Sequence, residues 1–302
     1  AEGKADHRAQ VRREVFELDN ELKRLKKTAV QIRRDIIEAT SHGKGGGIHV
    51  GPALSSVDLV TALYFKIMTV NPENPEWMQR DRFILSKGHA YAVWYSALAE
   101  KGFFPREELL TMRAINSRLQ GHPAFRKTPG VDMTSGSLGN GLACGMGIAM
   151  AMKKNGVTHR KVYVMLGDGE CQEGMVWETA MSAPHFGVDN LVAIIDHNHY
   201  QSCGSLDEIL PLTPLEDKWK AFGWKVLEVN GHDMNDIVSK LTIAKEFSGM
   251  PVCVIAHTVK GKGISFMEHN NAWHNGKCTE EQYVQAMHEL DEQEAVIENG
   301  WV

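Results

Sequence analysis

Cysteine is scarce in this chain. Its five copies, Cys144, Cys171, Cys203, Cys253 and Cys278, are odd in number and far apart, and no Cys-x-x-Cys pair occurs. That excludes a dense disulfide framework and a thiolate zinc site, and predicts free thiols in a reducing cytoplasm. Excess positive charge is missing as well. The net charge is −5, the pI is near 6.3, and lysine and arginine are dispersed, which argues against nucleic acid as a partner. The densest basic stretch, Lys23-Arg24, Lys27 and Arg33-Arg34, is interleaved with acids on one helical segment and reads as a solvated face. No apolar run reaches the roughly 18 residues that a membrane span needs. The start, Ala1-Glu-Gly-Lys-Ala-Asp-His7, lacks the apolar core of a signal peptide. A soluble, cytoplasmic protein without a membrane partner is expected.

What is present is a large apolar fraction, 43% of 302 residues, enough for a sizeable core. Val162-Tyr-Val-Met-Leu166 and Leu191-Val-Ala-Ile-Ile195 are short continuous apolar runs, the pattern of strands covered on both faces. Asp81–Ser86, Trp224–Val229 and Val252–His257 read as further strands. Helices are expected over about Arg8–Ala39 (one or two, with Val11, Val15, Leu18, Leu22 and Leu25 on one face), after a cap at Ser55 or Ser56, from near Tyr91, and over Leu142–Lys154. Three more are expected over Leu215–Ala221, Met234–Phe247 and Glu280–Glu298. Strands alternating with helices predict an α/β fold, a mostly parallel sheet with helices on both faces. With no repeat or linker, residues 1–302 read as a single domain with an N-terminal helical extension. Gly145 and Gly147 would let another helix approach Leu142–Lys154, a candidate packing or dimer face.

The strands deliver polar groups where open α/β sheets bind ligands, at their carboxyl ends. The first ends in Gly167-Asp168-Gly169, the second in Asp196-His197-Asn198. Alone, Gly-Asp-Gly is a strand-to-helix turn with Asp168 as a cap. Paired with Asn198 after enough chain for a helix and a return strand, it offers one carboxylate and one neutral oxygen. That donor set suits Mg²⁺ shared with a diphosphate. Two nucleotide motifs fail on spacing. Gly136-Ser-Leu-Gly-Asn-Gly141 has the wrong glycine order for a dinucleotide loop, and Gly43-Lys-Gly-Gly-Gly-Ile-His-Val-Gly51 lacks the Gly-Lys-Ser/Thr ending of a P-loop.

From about Leu18 to Gly276 these segments resemble the N-terminal, thiamine-diphosphate-binding part of transketolases. Gly47-Ile-His49-Val-Gly51, Asp81-Arg-Phe-Ile-Leu-Ser-Lys-Gly-His89-Ala, Gly121-His122-Pro123 and Val259 through Trp273-His274 are similar to the family's active-site histidine segments. Thr128 through Gly141 resembles the loop that contacts the cofactor rings, with Ser137 and Asn140 where proline and glutamine are common. The resemblance implies His49, His89, His122 and His274 as catalytic residues. It implies Gly136, Leu138, Gly167, Asp168, Gly169, Glu170, Asn198 and His89 as cofactor contacts. Asp168, Asn198 and the Tyr200 carbonyl become ligands to Mg²⁺ or Ca²⁺, and Glu173 a subunit-interface residue. Ten further histidines, among them His7, His159 and His288, read as ordinary surface or structural residues.

Complete transketolases continue into a pyrimidine-binding domain whose glutamate activates the cofactor, and no residue here matches it. The expectation is the N-terminal subunit of a split transketolase, transferring a two-carbon ketol unit from a ketose to an aldose. A C-terminal subunit would supply the missing glutamate, most simply in a self-associated α₂β₂ assembly acting on sugars or sugar phosphates. The alternatives are a subunit like 1-deoxyxylulose-5-phosphate synthase or a 2-oxo acid dehydrogenase, and a non-catalytic subunit that binds cofactor or partner.

Overall fold

The computed structural model describes residues 2–300, with side chains from Glu17 onward. Its centre is a five-stranded sheet in the order β1 (Arg82–Leu85), β2 (Val162–Gly167), β3 (Leu191–His197), β7 (Val252–His257), β6 (Lys225–Asn230), with every pairing parallel. A small antiparallel ribbon, β4 (Tyr200–Gln201) and β5 (Gly204–Ser205), follows β3 and was not expected from the sequence.

Strand residues alternate between two apolar layers, as successive side chains of a strand must. Phe83, Tyr163, Met165, Val192, Ile194 and Val254 join one layer. That layer also holds residues of α1 (Glu2–His42), α2 (Val50–Leu54), α3 (Val57–Ala62), α4 (Tyr91–Lys101), α9 (Met234–Glu246) and α10 (Glu280–Glu298). Ile84, Val162, Val164, Leu166, Ile195 and Ile255 join the other, with α5 (Asn140–Lys154), α6 (Gly174–His185), the one-turn α7 (Leu206–Ile209) and α8 (Leu215–Ala221). The sheet is thus covered on both faces, as its apolar strands predicted. Among the described residues no helix is long and apolar enough to cross a membrane.

Three local expectations are corrected, and one left open is resolved. Of the one or two helices expected in the N-terminal segment there is one. Leu22 and Leu25 pack inward and Leu18 is exposed, while the side chains of Val11 and Val15 lie outside the described residues. The basic stretch on α1 is not a free solvated face. Arg33 is buried and pairs with Asp58 at the start of α3 (2.6 Å), whose other neighbour is His232 Nδ1 (2.8 Å). Arg34 pairs with Asp291 and Glu294, and Lys23 and Lys27 with Glu298, so the interleaved positive charges dock α1 on α10. Ser55 and Ser56 do not cap a helix with their hydroxyls, which turn inward to Asp196 (2.5 and 3.3 Å). In α5, Gly145 faces the sheet, where an added Cβ would meet Val164 Cγ2 at 2.5 Å, and Gly147 faces open space.

Those two helical glycines should respond oppositely to one methyl group. Gly145→Ala overpacks α5 against β2 and should destabilise by about 1–3 kcal/mol. Gly147→Ala removes only backbone freedom and should stabilise by roughly 0.5–1 kcal/mol. Urea denaturation of the purified chain measures both; equal effects would contradict the assigned helix faces.

Candidate active site

The sheet's carboxyl edge gathers Ser86–His89 after β1, Gly167–Gly169 after β2, Asn198–Tyr200 after β3 and Thr258–Lys260 after β7. At its centre lies Asp196, fully buried near the end of β3. Its carboxylate accepts from the Lys87 ammonium and from the hydroxyls of Ser55, Ser56 and Thr258, and from Asn198 Nδ2 at 3.1 Å. Lys87, equally buried, also donates to the Pro52 carbonyl (2.9 Å). Burial alone would push the Asp196 carboxyl up, but the Lys87 charge and these donors outweigh it and hold it below the ordinary range. Neither residue was singled out from the sequence, although an acid inside the apolar run Ala193-Ile-Ile-Asp196 signals a hidden cation.

This network sets the metal-ligand candidates. Asn198 donates inward to Asp196, which fixes its amide, and its Oδ1 accepts the Tyr200 N–H (3.0 Å) with one lone pair left over. Asp168, on the neighbouring strand end, is 1% exposed. Its Oδ1 accepts from Gly169 N (2.8 Å), and its Oδ2 accepts from His199 N (2.6 Å) and lies 3.2 Å from His197 Nδ1. The turn is crowded: a Cβ on Gly169 would meet Gln201 Cβ at 2.9 Å. Asp168 and Asn198 thus present hard oxygens on adjacent strand ends, a donor set that fits a divalent ion held against phosphate. Glu170 stands behind the turn. Its buried carboxylate accepts from Ser86 Oγ, Gly139 N (2.9 Å) and Gly167 N (3.0 Å), so it braces the cradle.

The histidine loops converge. The rings of His49, His89 and His274 form a triangle with centroids 5.3, 5.4 and 5.5 Å apart, and His122 packs beside Gly136. Burial, then the Lys87 charge, pushes His89 far below its ordinary value. Burial, then Lys260, takes His274 down to about 4, and burial, then Arg113, lowers His49. At neutral pH all three are uncharged imidazoles. The Lys260 ammonium donates to His274 Nδ1 (3.0 Å) and to Asn271 Oδ1, which leaves the His274 proton on Nε2. Burial takes Lys260 itself down to about 8. Lys260 and Arg113, whose guanidinium donates to the Gly47 carbonyl, are site residues that the sequence reading passed over, although Lys260 lies within a quoted motif. His49 Nδ1, Ser135 Oγ and Tyr91 OH are buried without a hydrogen-bond partner in the protein, the mark of a surface shaped for polar ligand atoms.

Leu138 is exposed at the turn before α5. Gly139 has φ of +83°, and a Cβ there would lie 2.8 Å from Glu173 Cβ, so the close contact of the two turns requires glycine. Glu173 is itself exposed at the start of α6, and Met150 of α5 and Met175 and Met181 of α6 are exposed as well.

Residues 25–294 match the family model described as transketolase, thiamine diphosphate binding domain. The chain is 45% identical over 253 residues to a 6-deoxy-6-sulfo-D-fructose transketolase subunit of a Clostridium species, covering 84% of this chain and 92% of that protein. It is 43% identical over 260 residues to an apulose-4-phosphate transketolase subunit of Phocaeicola vulgatus, covering 86% and 91%. Rat transketolase is 38% identical over 253 residues, which span 84% of this chain and 40% of that one. Among solved structures, transketolase from Campylobacter jejuni superposes with a TM-score of 0.80 at 28% identity, over 92% of this chain and 45% of that one.

Lys87→Met leaves the Asp196 charge buried and uncompensated, so it should cost about 3–5 kcal/mol at pH 7. The wild-type carboxyl is depressed, so its contribution is full above the unfolded value near pH 4 and is lost as the pH falls below it. Without Lys87 the dominant effect on the carboxyl is burial, which raises it and disfavours the fold at high pH. The gap between variant and wild type should narrow from pH 7 toward pH 4 in urea titrations; a constant gap would overturn the assignment.

Proposed function

The chain belongs to the transketolase family through its thiamine diphosphate-binding domain, and from this we propose how its residues divide the work of ketol transfer. The reaction is thiamine-diphosphate-dependent movement of a two-carbon unit from a ketose to an aldose. In our reading residues 1–302 act as one diphosphate-binding domain, the N-terminal subunit of a two-subunit enzyme.

Asp168, Asn198 and the Tyr200 carbonyl would hold Mg²⁺ or Ca²⁺ together with the cofactor diphosphate, and Gly167, Gly169, Gly136 and Leu138 would contact the cofactor. Glu170 supports these turns through its hydrogen bonds to Ser86, Gly139 and Gly167. Thiamine diphosphate, when bound, supplies the nucleophilic carbon that takes the two-carbon unit from one sugar to the next. The protein's part is to orient polyhydroxylated substrates and to move protons. His49, His89, His122 and His274 do this, and the observation that carries the reading is the triangle of neutral rings around the unsatisfied His49 Nδ1. A neutral imidazole both donates and accepts, so it serves a hydroxyl before and after proton transfer. The Lys260 contact fixes His274 as a donor through Nε2.

The names of the two relatives of similar length, both called subunits, support a C-terminal partner that completes the site. Exposed Glu173 and the exposed methionines of α5 and α6 support self-association into α₂β₂. Those relatives are named for a sulfonated and a phosphorylated sugar. Ketoses with an anionic terminal group are therefore the first donors to screen.

The purified chain with thiamine diphosphate and Mg²⁺ should show no ketol transfer until a C-terminal subunit is added. Robust transfer by the chain alone would sink the two-subunit reading, and turnover of pyruvate would sink the transketolase assignment. In the assembled enzyme Asp168→Asn should weaken cofactor affinity by more than the roughly 10–100-fold that loss of a supporting residue costs a metal site. Calorimetric titration of thiamine diphosphate measures it.

A further inference from the structure

β3 and β7 run side by side in register, so His197 and His257 leave the sheet from adjacent strand ends. His199 follows two residues later in the left-handed conformation (φ 66°), rare for a residue with a side chain and found chiefly where the surroundings impose it. Its N–H is held by Asp168, and its ring lies 4.1 Å, centroid to centroid, from that of His197; the His257 ring is 5.6 Å from His197. One nitrogen from each of the three rings lies within 4.8 Å of the other two. They line a cavity of about 410 Å³ with Asp207 and Glu228 also in its wall. This cluster is separate from the four histidines of the substrate site and has no part in the chemistry assigned to them.

We propose that His197, His199 and His257 bind a borderline divalent transition metal, Zn²⁺ or its analogue Co²⁺. Tetrahedral sites with metal–nitrogen bonds of 2.0–2.1 Å place neighbouring nitrogens about 3.3 Å apart, which small side-chain rotations reach from the observed spacing. Imidazole suits such metals, whereas Mg²⁺ and Ca²⁺ select oxygen, so the two sites sort different ions. His197 already has the supporting contact that histidine ligands carry: Nδ1 lies 3.2 Å from Asp168 Oδ2, which orients the ring and leaves Nε2 as ligand. Glu228 Oε1, 3.8 Å from His257 Nε2, stands near enough to take the fourth position or to hold a water there. Neither His199 nor His257 is needed to brace Asp168 through a side chain, so bracing explains one ring of the three. The site does not depend on the assignment of substrate or partner.

Titration of the full chain with Co²⁺ tests it by visible absorption, since a tetrahedral site absorbs intensely and aqueous Co²⁺ does not. One equivalent should bind, Zn²⁺ should displace it, and Zn²⁺ should raise the melting temperature. His257→Ala and His199→Ala, both at exposed positions, should each weaken binding at least tenfold and abolish the thermal shift, while His288→Ala and His274→Ala leave both intact. Absence of a one-to-one complex, or a His257→Ala chain that binds as tightly as wild type, overturns the proposal. So does loss of the signal in His274→Ala alone, which would put the ion among the substrate-site histidines.

Discussion

The buried pair of Lys87 and Asp196 is the constraint around which the site is assembled. A carboxylate taken out of water at the end of a central strand is tolerated only with a cation and a full set of donors. Asp196 draws those donors from the segments around Ser55, Lys87, Asn198 and Thr258. Each of these lies close in sequence to a group assigned to metal, cofactor or substrate. Replacing such a pair by apolar side chains is often neutral or stabilising in other proteins. Its effect here is one of placement: three loops that leave the sheet separately, and the turn between α2 and α3, are tied to one carboxylate.

The charges left over set the character of the bay. Lys260 stands among the histidines, with Lys87 and Arg113 close enough to depress them. Burial keeps the imidazoles neutral and this positive field adds to it, and the same field would complement the diphosphate proposed above. Electrostatics thus serve binding and protonation together, without a carboxylate among the rings to pull them back toward the charged form.

Much of this was legible in the sequence, for identifiable reasons. β7, α8 and α10 have the predicted bounds because apolar runs and capping signals are local. The Gly-Asp-Gly turn and Asn198 meet because a parallel sheet aligns its carboxyl ends. What escaped was long-range. Arg33 looked solvated because its partner Asp58 lies in another helix, and Ser55 looked like a cap because Asp196 is 141 residues away. Gly145 pointed equally well to a partner helix or to the sheet beneath it, and only the fold distinguishes them. His197 was noted only as the residue before Asn198, and its grouping with His199 and His257 escaped, since His257 becomes their neighbour only when β7 is laid beside β3.

Asp196 also divides the molecule into what can drift and what cannot. A substitution at any of its donors disturbs several loops at once, so that region is closed to gradual change. Leu138, Arg113 and the exposed residues of α5 and α6 are not among the donors to Asp196. A change made at the rim therefore perturbs one loop at a time, whereas a change inside the cradle is felt by every segment that shares the carboxylate.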